Sequence, residues 1–236
     1  MRVLSSKWKQ ACFLDDLRSH DMHVMVATET NLDSLQTFSP LLNGYEKIMS
    51  PSQTRDHGGV LVLARKGLAL QTSTVYVNPE GGLVVLDVTY SGKAFRLIRI
   101  YAPCARGLQT DFYRRLENFL VTSKTLVVLG DYNAIVDAHI DSVGSSDRKV
   151  NSRFVDLLKK FQLADGYRPD HPNVPEWTWV NGDSRFKSYL DRIVIRARDK
   201  ASFSCPHLVQ VSYTDHRMVK CKLNIVRLRE YLVTGS

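Results

Sequence analysis

Thr125-Leu126-Val127-Val128-Leu129-Gly130-Asp131-Tyr132-Asn133 reads as a buried strand that ends in a carboxylate and a carboxamide. An unbroken apolar run is the pattern of a strand covered on both faces. Side chains alternate along an extended chain, so this reading puts Asp131 and Asn133 on one face, and Gly130 lets the backbone leave the strand without a Cβ clash. A polar site is expected at this strand end.

Working outward, Trp8, Cys12, Phe13, Leu14 and Leu17 fall on one helical stripe, which predicts a surface helix over 7–20. Val24-Met25-Val26-Ala27 is a second apolar strand and runs into Thr28-Glu29-Thr30. Strand patterns recur at 58–64, 68–77 and 83–89, and Tyr90-Ser91-Gly92-Lys93 reads as a hairpin turn into Phe95–Ile100. Phe112, Leu116, Phe119 and Leu120 mark one further helix, and Phe154, Leu157, Leu158 and Phe161 another. Trp177–Val180 and Ile193–Ile195 flank a polar loop, Asn181–Lys187, and the last strand pieces surround 209–211 and 218–223. Short strands outnumber helices, and the helices fall between groups of strands. The pattern predicts an α/β sandwich of packed sheets with helices outside.

A chain of 236 residues fits one large domain. Its longest apolar runs fall well short of the roughly 18 residues of a membrane span, and the first residues lack a signal-peptide core. The 4 cysteines, Cys12, Cys104, Cys205 and Cys221, lack the paired spacing of zinc or disulfide frameworks and read as free thiols in a reducing compartment. A formal charge of +8 favours a polyanionic partner. The excess is concentrated late in the chain, where residues 141–236 hold 17 Lys and Arg against 11 Asp and Glu.

Glu29, Asp131, Asp191 and Asp215 each stand beside an apolar, strand-like run, with Asn133 and His216 in company. A single acidic residue at such a place reads as a turn or a cap. Four of them converge on one patch if their strands are neighbours. Clustered carboxylates repel and call for a cation, and hard oxygen donors suit Mg²⁺ or Mn²⁺ better than zinc. A carboxylate near that cation suits proton removal from water, and an Asp–His pair suits developing charge on phosphorus. The chemistry implied is metal-assisted phosphodiester hydrolysis.

Thr28-Glu29-Thr30, Ile100-Tyr101-Ala102-Pro103, Gly130-Asp131-Tyr132-Asn133, Ser188-Tyr189-Leu190-Asp191-Arg192-Ile193 and Tyr213-Thr214-Asp215-His216 occur in the order found in the endonuclease/exonuclease/phosphatase superfamily. More narrowly, the chain resembles the apurinic/apyrimidinic-type endonuclease domain of non-LTR (LINE-type) retrotransposons. The resemblance implies a DNase I-like, four-layer α/β sandwich in which two mixed β-sheets pack together between helices. It implies that Glu29 ligates Mg²⁺ or Mn²⁺ with Asp215 on the metal side, that Tyr101 bonds the scissile phosphate, and that Asp131 activates water. Asn133 then positions water and phosphate, Asp191 orients the histidine, and His216 contacts a phosphoryl oxygen. Thr178 and Ser188 match polar positions near DNA. Arg185 and Lys187 lie in the loop that matches a minor-groove hairpin, where cations are favoured.

The matched domain is expected over 1–225, with 226–236 as a tail, and without the first, asparagine-bearing strand of the family. Cys104 stands where an asparagine often contacts phosphate, and a thiol is a poor donor. The resulting expectation is a Mg²⁺-dependent endonuclease that nicks one strand of duplex DNA to leave a 3′ hydroxyl, in the nucleus, with no membrane and no obligate protein partner. Two other readings stay open on sequence: a nuclease fold that at most binds nucleic acid, and a hydrolase of small phosphoesters.

Overall fold

The computed structural model of the protein describes residues 4, 6–28, 30, 39–50, 59–79, 81–144 and 149–224, and the counts below refer to these. Helix α1 (Lys7–Ser19) opens at Ser6, whose hydroxyl accepts the Lys9 backbone N–H. Strands β1 (Val24–Thr28), β2 (Tyr45–Ser50) and β3 (Val60–Arg65) follow, then β4 (Gln71–Val77), β5 (Leu83–Tyr90) and β6 (Lys93–Tyr101). Helix α2 (Arg106–Leu120) leads to β7 (Thr125–Asp131), β8 (Ser142–Val143), α3 (Ser152–Lys160) and β9 (Leu163–Asp165). The chain then forms β10 (Trp179–Val180), β11 (Lys187–Ser188), β12 (Asp191–Arg196), β13 (Phe203–Val209) and β14 (Met218–Leu223).

The central sheet has 6 strands in the order β4-β5-β6-β7-β12-β9. Only β6 and β7 run parallel, because α2 carries the chain over one face between them, and the sheet is therefore mixed. Ile98, Ile100, Leu126, Val128 and Val194 pack on that face against Phe112, Leu116 and Leu120 of α2 and Phe154 and Leu157 of α3. The opposite face meets a second layer. There Val60 and Val62 of β3 close on Val84 and Leu86 of β5, and Phe203 of β13 closes on Val127 and Ile195. Helix α1 covers the outside of this layer through Phe13, Leu14 and Leu17. The order helix, sheet, sheet, helix is the expected sandwich.

The second layer differs from a single mixed sheet. It consists of β1-β3-β2 and the β13-β14 pair, both antiparallel throughout, while β10, β11 and β8 form a small sheet at one end. Strand β2 has no counterpart in the sequence reading, and β13 begins at Phe203, six residues before the expected piece. The tail and residues 145–148 of the polar loop lie outside the described residues.

The turn at Ser91-Gly92 has positive φ at both positions, 49° and 76°, the backbone of a two-residue hairpin between paired Tyr90 and Lys93. Gly130 meets a stricter condition. Its φ is +133°, and a Cβ there would lie 1.9 Å from the Ile100 carbonyl oxygen of the neighbouring strand. No rotamer change relieves a clash with backbone. Gly130→Ala is expected to destabilise the protein by about 3 kcal/mol, since both overpacking and strain act at once. Denaturant unfolding measures it, and an unchanged midpoint refutes the account.

Candidate active site

Three adjacent strands end at one level. Tyr101 is paired with Asp131 across the parallel β6–β7 ladder, and Asp131 with Asp191 across the antiparallel β7–β12 ladder. Paired residues project from the same face, so these three form a row across the sheet. The face is the one that carries Val127 and Ile195 toward the second layer. Asp191 accepts from His216 Nδ1 at 2.7 Å, and single donor atoms of Asp131, Asp191 and His216 all lie within 4.8 Å of one another.

His216 is placed by short-range bonds. Its N–H donates to Thr214 Oγ1, and the next residue's N–H donates to the Thr178 carbonyl at 2.6 Å. Asp215 faces elsewhere: its Oδ2 accepts the Trp179 indole N–H at 3.1 Å, and its carbonyl accepts the Val180 N–H. Asp215 stands beside the Asp131, Asp191 and His216 group without being a member of it. Glu29 lies outside the described residues.

Asn133 does not follow the alternation expected of it. The strand ends at Asp131, and Asn133 adopts φ +44° with its N–H donated to Asp131 Oδ1 at 2.8 Å. A side chain that bonds the backbone two residues on makes a turn, and an asparagine tolerates the left-handed conformation required. Its Nδ2 donates to the Ala102 carbonyl at 2.8 Å, tying the ends of β6 and β7 together. Asp131 and Asn133 are therefore neighbours through a turn rather than through strand geometry.

Thr178 and Ser188, expected near DNA, are both 0% exposed. Thr178 Oγ1 accepts the backbone N–H of Leu190 and of Asp191, each at 2.9 Å, and so fixes the start of β12. Arg185 and Lys187 belong to the hairpin between β10 and β11. Arg185 is paired with Asp183 at 2.5 Å, and Lys187 Nζ lies 4.4 Å from the Trp177 ring centroid. Sequence reasoning missed Gln109 and Arg192, both buried beside the site. Each had a signal: Gln109 falls on the apolar stripe of α2 with Phe112, Tyr113 and Leu116, and Arg192 interrupts the apolar run of β12.

The row borders a cleft of about 810 Å³, counting space open to solvent, lined among others by Ala27, Thr28, Asp131, Asp191, Tyr213 and His216. Burial pushes the His216 pKa down, but the Asp191 charge and hydrogen bond, with Asp131 and Asp215 nearby, more than offset it and raise it to about 9. At neutral pH the imidazole is then a cation between carboxylates. An imidazolium donates from both nitrogens and ligates nothing. The oxygen donors of Asp131 and Asp191 remain, and hard carboxylate oxygens are of the kind that suit a divalent cation.

Over residues 9–216 the sequence matches the Endonuclease/Exonuclease/phosphatase family. It is 26% identical over 150 residues to a transposon TX1 uncharacterized 149 kDa protein from Xenopus laevis, a match covering 61% of this chain and 12% of that protein. The chain thus spans a small part of that relative's length. Its fold is similar to a 3′ phosphatase, NExo, from Neisseria bound to product DNA hairpin, with TM-score 0.76 and 17% identity over 94% of this chain and 97% of that one. It is similar also to an AP endonuclease from Archaeoglobus fulgidus, with TM-score 0.74 and 15% identity over 95% and 97% of the two chains.

The Asp191–His216 pair makes a sign-definite prediction for the metal-free protein. A raised histidine pKa contributes stability that is complete below the unfolded value of about 6.5 and is lost as pH rises through about 9. NMR titration is expected to show His216 deprotonating near pH 9, with Asp191→Asn moving its midpoint down. A midpoint that stays in place in Asp191→Asn contradicts the assignment.

Proposed function

The chain belongs to the endonuclease/exonuclease/phosphatase family, and on that premise we propose that it is a divalent-metal-dependent phosphodiester hydrolase acting on DNA. The finer reading is a retrotransposon-derived endonuclease that nicks one strand of duplex DNA and leaves a 3′ hydroxyl. The similarity to a transposon protein supports the origin. The observation that carries the chemistry is the row Tyr101, Asp131, Asp191 with His216 bonded to Asp191 at 2.7 Å.

In this reading Asp131 takes a proton from the attacking water while the water oxygen bonds to phosphorus and the bond from phosphorus to the 3′ oxygen breaks. The phosphate stays on the 5′ oxygen of the downstream fragment, and the departing 3′ oxygen takes a proton from solvent and ends as a hydroxyl. Asn133, held by Asp131 and the Ala102 carbonyl, orients water and phosphate. His216, kept charged and aimed by Asp191, donates to a phosphoryl oxygen as negative charge builds there. Tyr101 bonds the same phosphate from the neighbouring strand. Glu29 and Asp215 are assigned to the metal side with the carboxylates of the row, and a bound Mg²⁺ or Mn²⁺ supplies charge neutralisation on the phosphate.

Among the described residues no helix is long and apolar enough to cross a membrane. Duplex DNA is the proposed partner, matched by the formal charge of +8, and the nucleus the proposed site of action.

Supercoiled plasmid with Mg²⁺ is expected to be nicked by the wild-type chain, with activity removed by chelation and reduced roughly 100-fold or more in Asp131→Ala. Ligation of the nicked product reports the 3′ hydroxyl. Wild-type nicking no greater than that of Asp131→Ala sinks the endonuclease reading, and faster turnover of a soluble phosphoester than of duplex DNA moves the substrate to the small-molecule class.

A further inference from the structure

Two carboxamides behind the row form a continuous hydrogen-bonded link. Gln109 of α2 is 2% exposed, and its Nε2 donates one hydrogen to the Pro103 carbonyl at 2.8 Å and the other to the Asn133 carbonyl at 3.0 Å. Its Oε1 accepts from Asn151 Nδ2. Asn151 is the N-cap of α3: its Oδ1 accepts the Phe154 N–H at 3.0 Å, and its own N–H donates to the Ile135 carbonyl at 3.1 Å. Each amide has one orientation that satisfies its partners, since a flip of either sets oxygen against carbonyl oxygen.

Each end of this link reaches a chain segment that carries a functional side chain. Pro103 is two residues after Tyr101, and Asn133 is two after Asp131. Asn133 is otherwise a turn residue at φ +44°, fixed through its N–H and Nδ2. The bond to its carbonyl adds a third restraint, on the peptide unit that follows.

We infer that Gln109 and Asn151 are positioning residues for the phosphate side of the site, transmitting the rigidity of α2 and the α3 cap to Asn133 and to the loop that follows Tyr101. This rests on the hydrolase reading only for its effect on rate. Neither side chain reaches the row, so their contribution is to orientation, where a displacement of about 1 Å is worth up to roughly 100-fold in turnover.

Asn151→Asp provides the sharpest test. Aspartate still accepts the Phe154 N–H and caps α3, but it replaces the donor to Gln109 by an acceptor and drives the Gln109 amide to turn away from Pro103 and Asn133. Gln109→Met removes both donors at similar volume and serves as the second variant if Asn151→Asp fails to fold. In plasmid nicking with Mg²⁺, either change is expected to lower kcat roughly 10- to 100-fold while KM for DNA moves less than about threefold. The backbone amide resonance of Asn133 in the metal-free protein is expected to shift in both variants. Wild-type kcat in a folded variant overturns the inference, as does a parallel loss through KM alone. If the wild-type chain nicks no DNA, the hydrolase reading has failed by itself; the resonance then decides, and one that stays in place overturns the positioning.

Discussion

A guanidinium almost wholly shielded from water holds together the part of the molecule on which the site stands. Arg192, 2% exposed, points from β12 toward the helix side, where Nη1 bonds Asp165 at 2.8 Å and Nη2 bonds Asp141 at 2.6 Å. Asp141 shares its other oxygen with Arg168 at 2.7 Å and accepts the backbone N–H of Val136 and Asp137. Both guanidiniums lie 4.3 Å from the centroid of the Tyr189 ring. Burial alone would push Arg192 down and Asp141 up; their mutual attraction reverses both directions. Taking one member away leaves buried charge unpaired, a loss of about 3–5 kcal/mol. This network joins β9, the loop after Asn133 and the start of β12, so the residue next to Asp191 is among the least free to move.

Sheet geometry and this network divide the work. Alternation along β12 sends Arg192 to the helix face and Asp191 to the opposite one, toward the cleft. One face therefore anchors while the other presents. The same division holds at β7, where Tyr132 is buried against Phe154 and its O–H donates to Val128, while Asp131 enters the row. The row gathers carboxylates whose repulsion is balanced in the metal-free state by the His216 cation. On the metal-dependent reading, a divalent ion entering beside Asp131 would compete with that balance, and its affinity would follow the charge of the histidine.

How far the sequence disclosed this depends on whether a feature is local. The apolar runs of β1, β5, β6 and β7 and the Ser91-Gly92 turn were legible because periodicity and turn chemistry act over a few residues. Strand β2 escaped because Tyr45-Glu46-Lys47-Ile48 has no clean alternation; pairing with the buried β3 makes it a strand. The ordered motifs singled out Tyr101, Asp131, Asp191 and His216, which the fold brings together, yet they gave types and order without burial. Thr178 illustrates the gap, since a hydroxyl suited to a surface contact is instead used to accept two backbone amides at the β12 start. Arg192 and Gln109 were hidden for a related reason. A polar residue on an apolar stripe declares that a partner exists, but only the fold says which one.

The hairpin over Asn181–Lys187 shows how the same limits bear on recognition. Read as charge alone, Arg185 and Lys187 look like two cations offered to a groove. In the fold, Asp183 is paired with Arg185 and Asn181 bonds Asp183, while Asn181 also accepts the Phe186 N–H at 2.7 Å and donates its own N–H to the Phe186 carbonyl. A Cβ at Gly144 would lie 2.1 Å from the Arg185 carbonyl oxygen, so the chain leaving β8, the strand paired with β11, meets the hairpin at backbone contact. Such a tip is closed by its own bonds, and much of its charge is neutralised internally. On the endonuclease reading it contributes a fixed shape more than a field, with the exposed Phe186 ring at the pair that closes the loop. Shape and the ease of deforming a groove are then the quantities it reads, and these depend on base sequence without any base-edge contact.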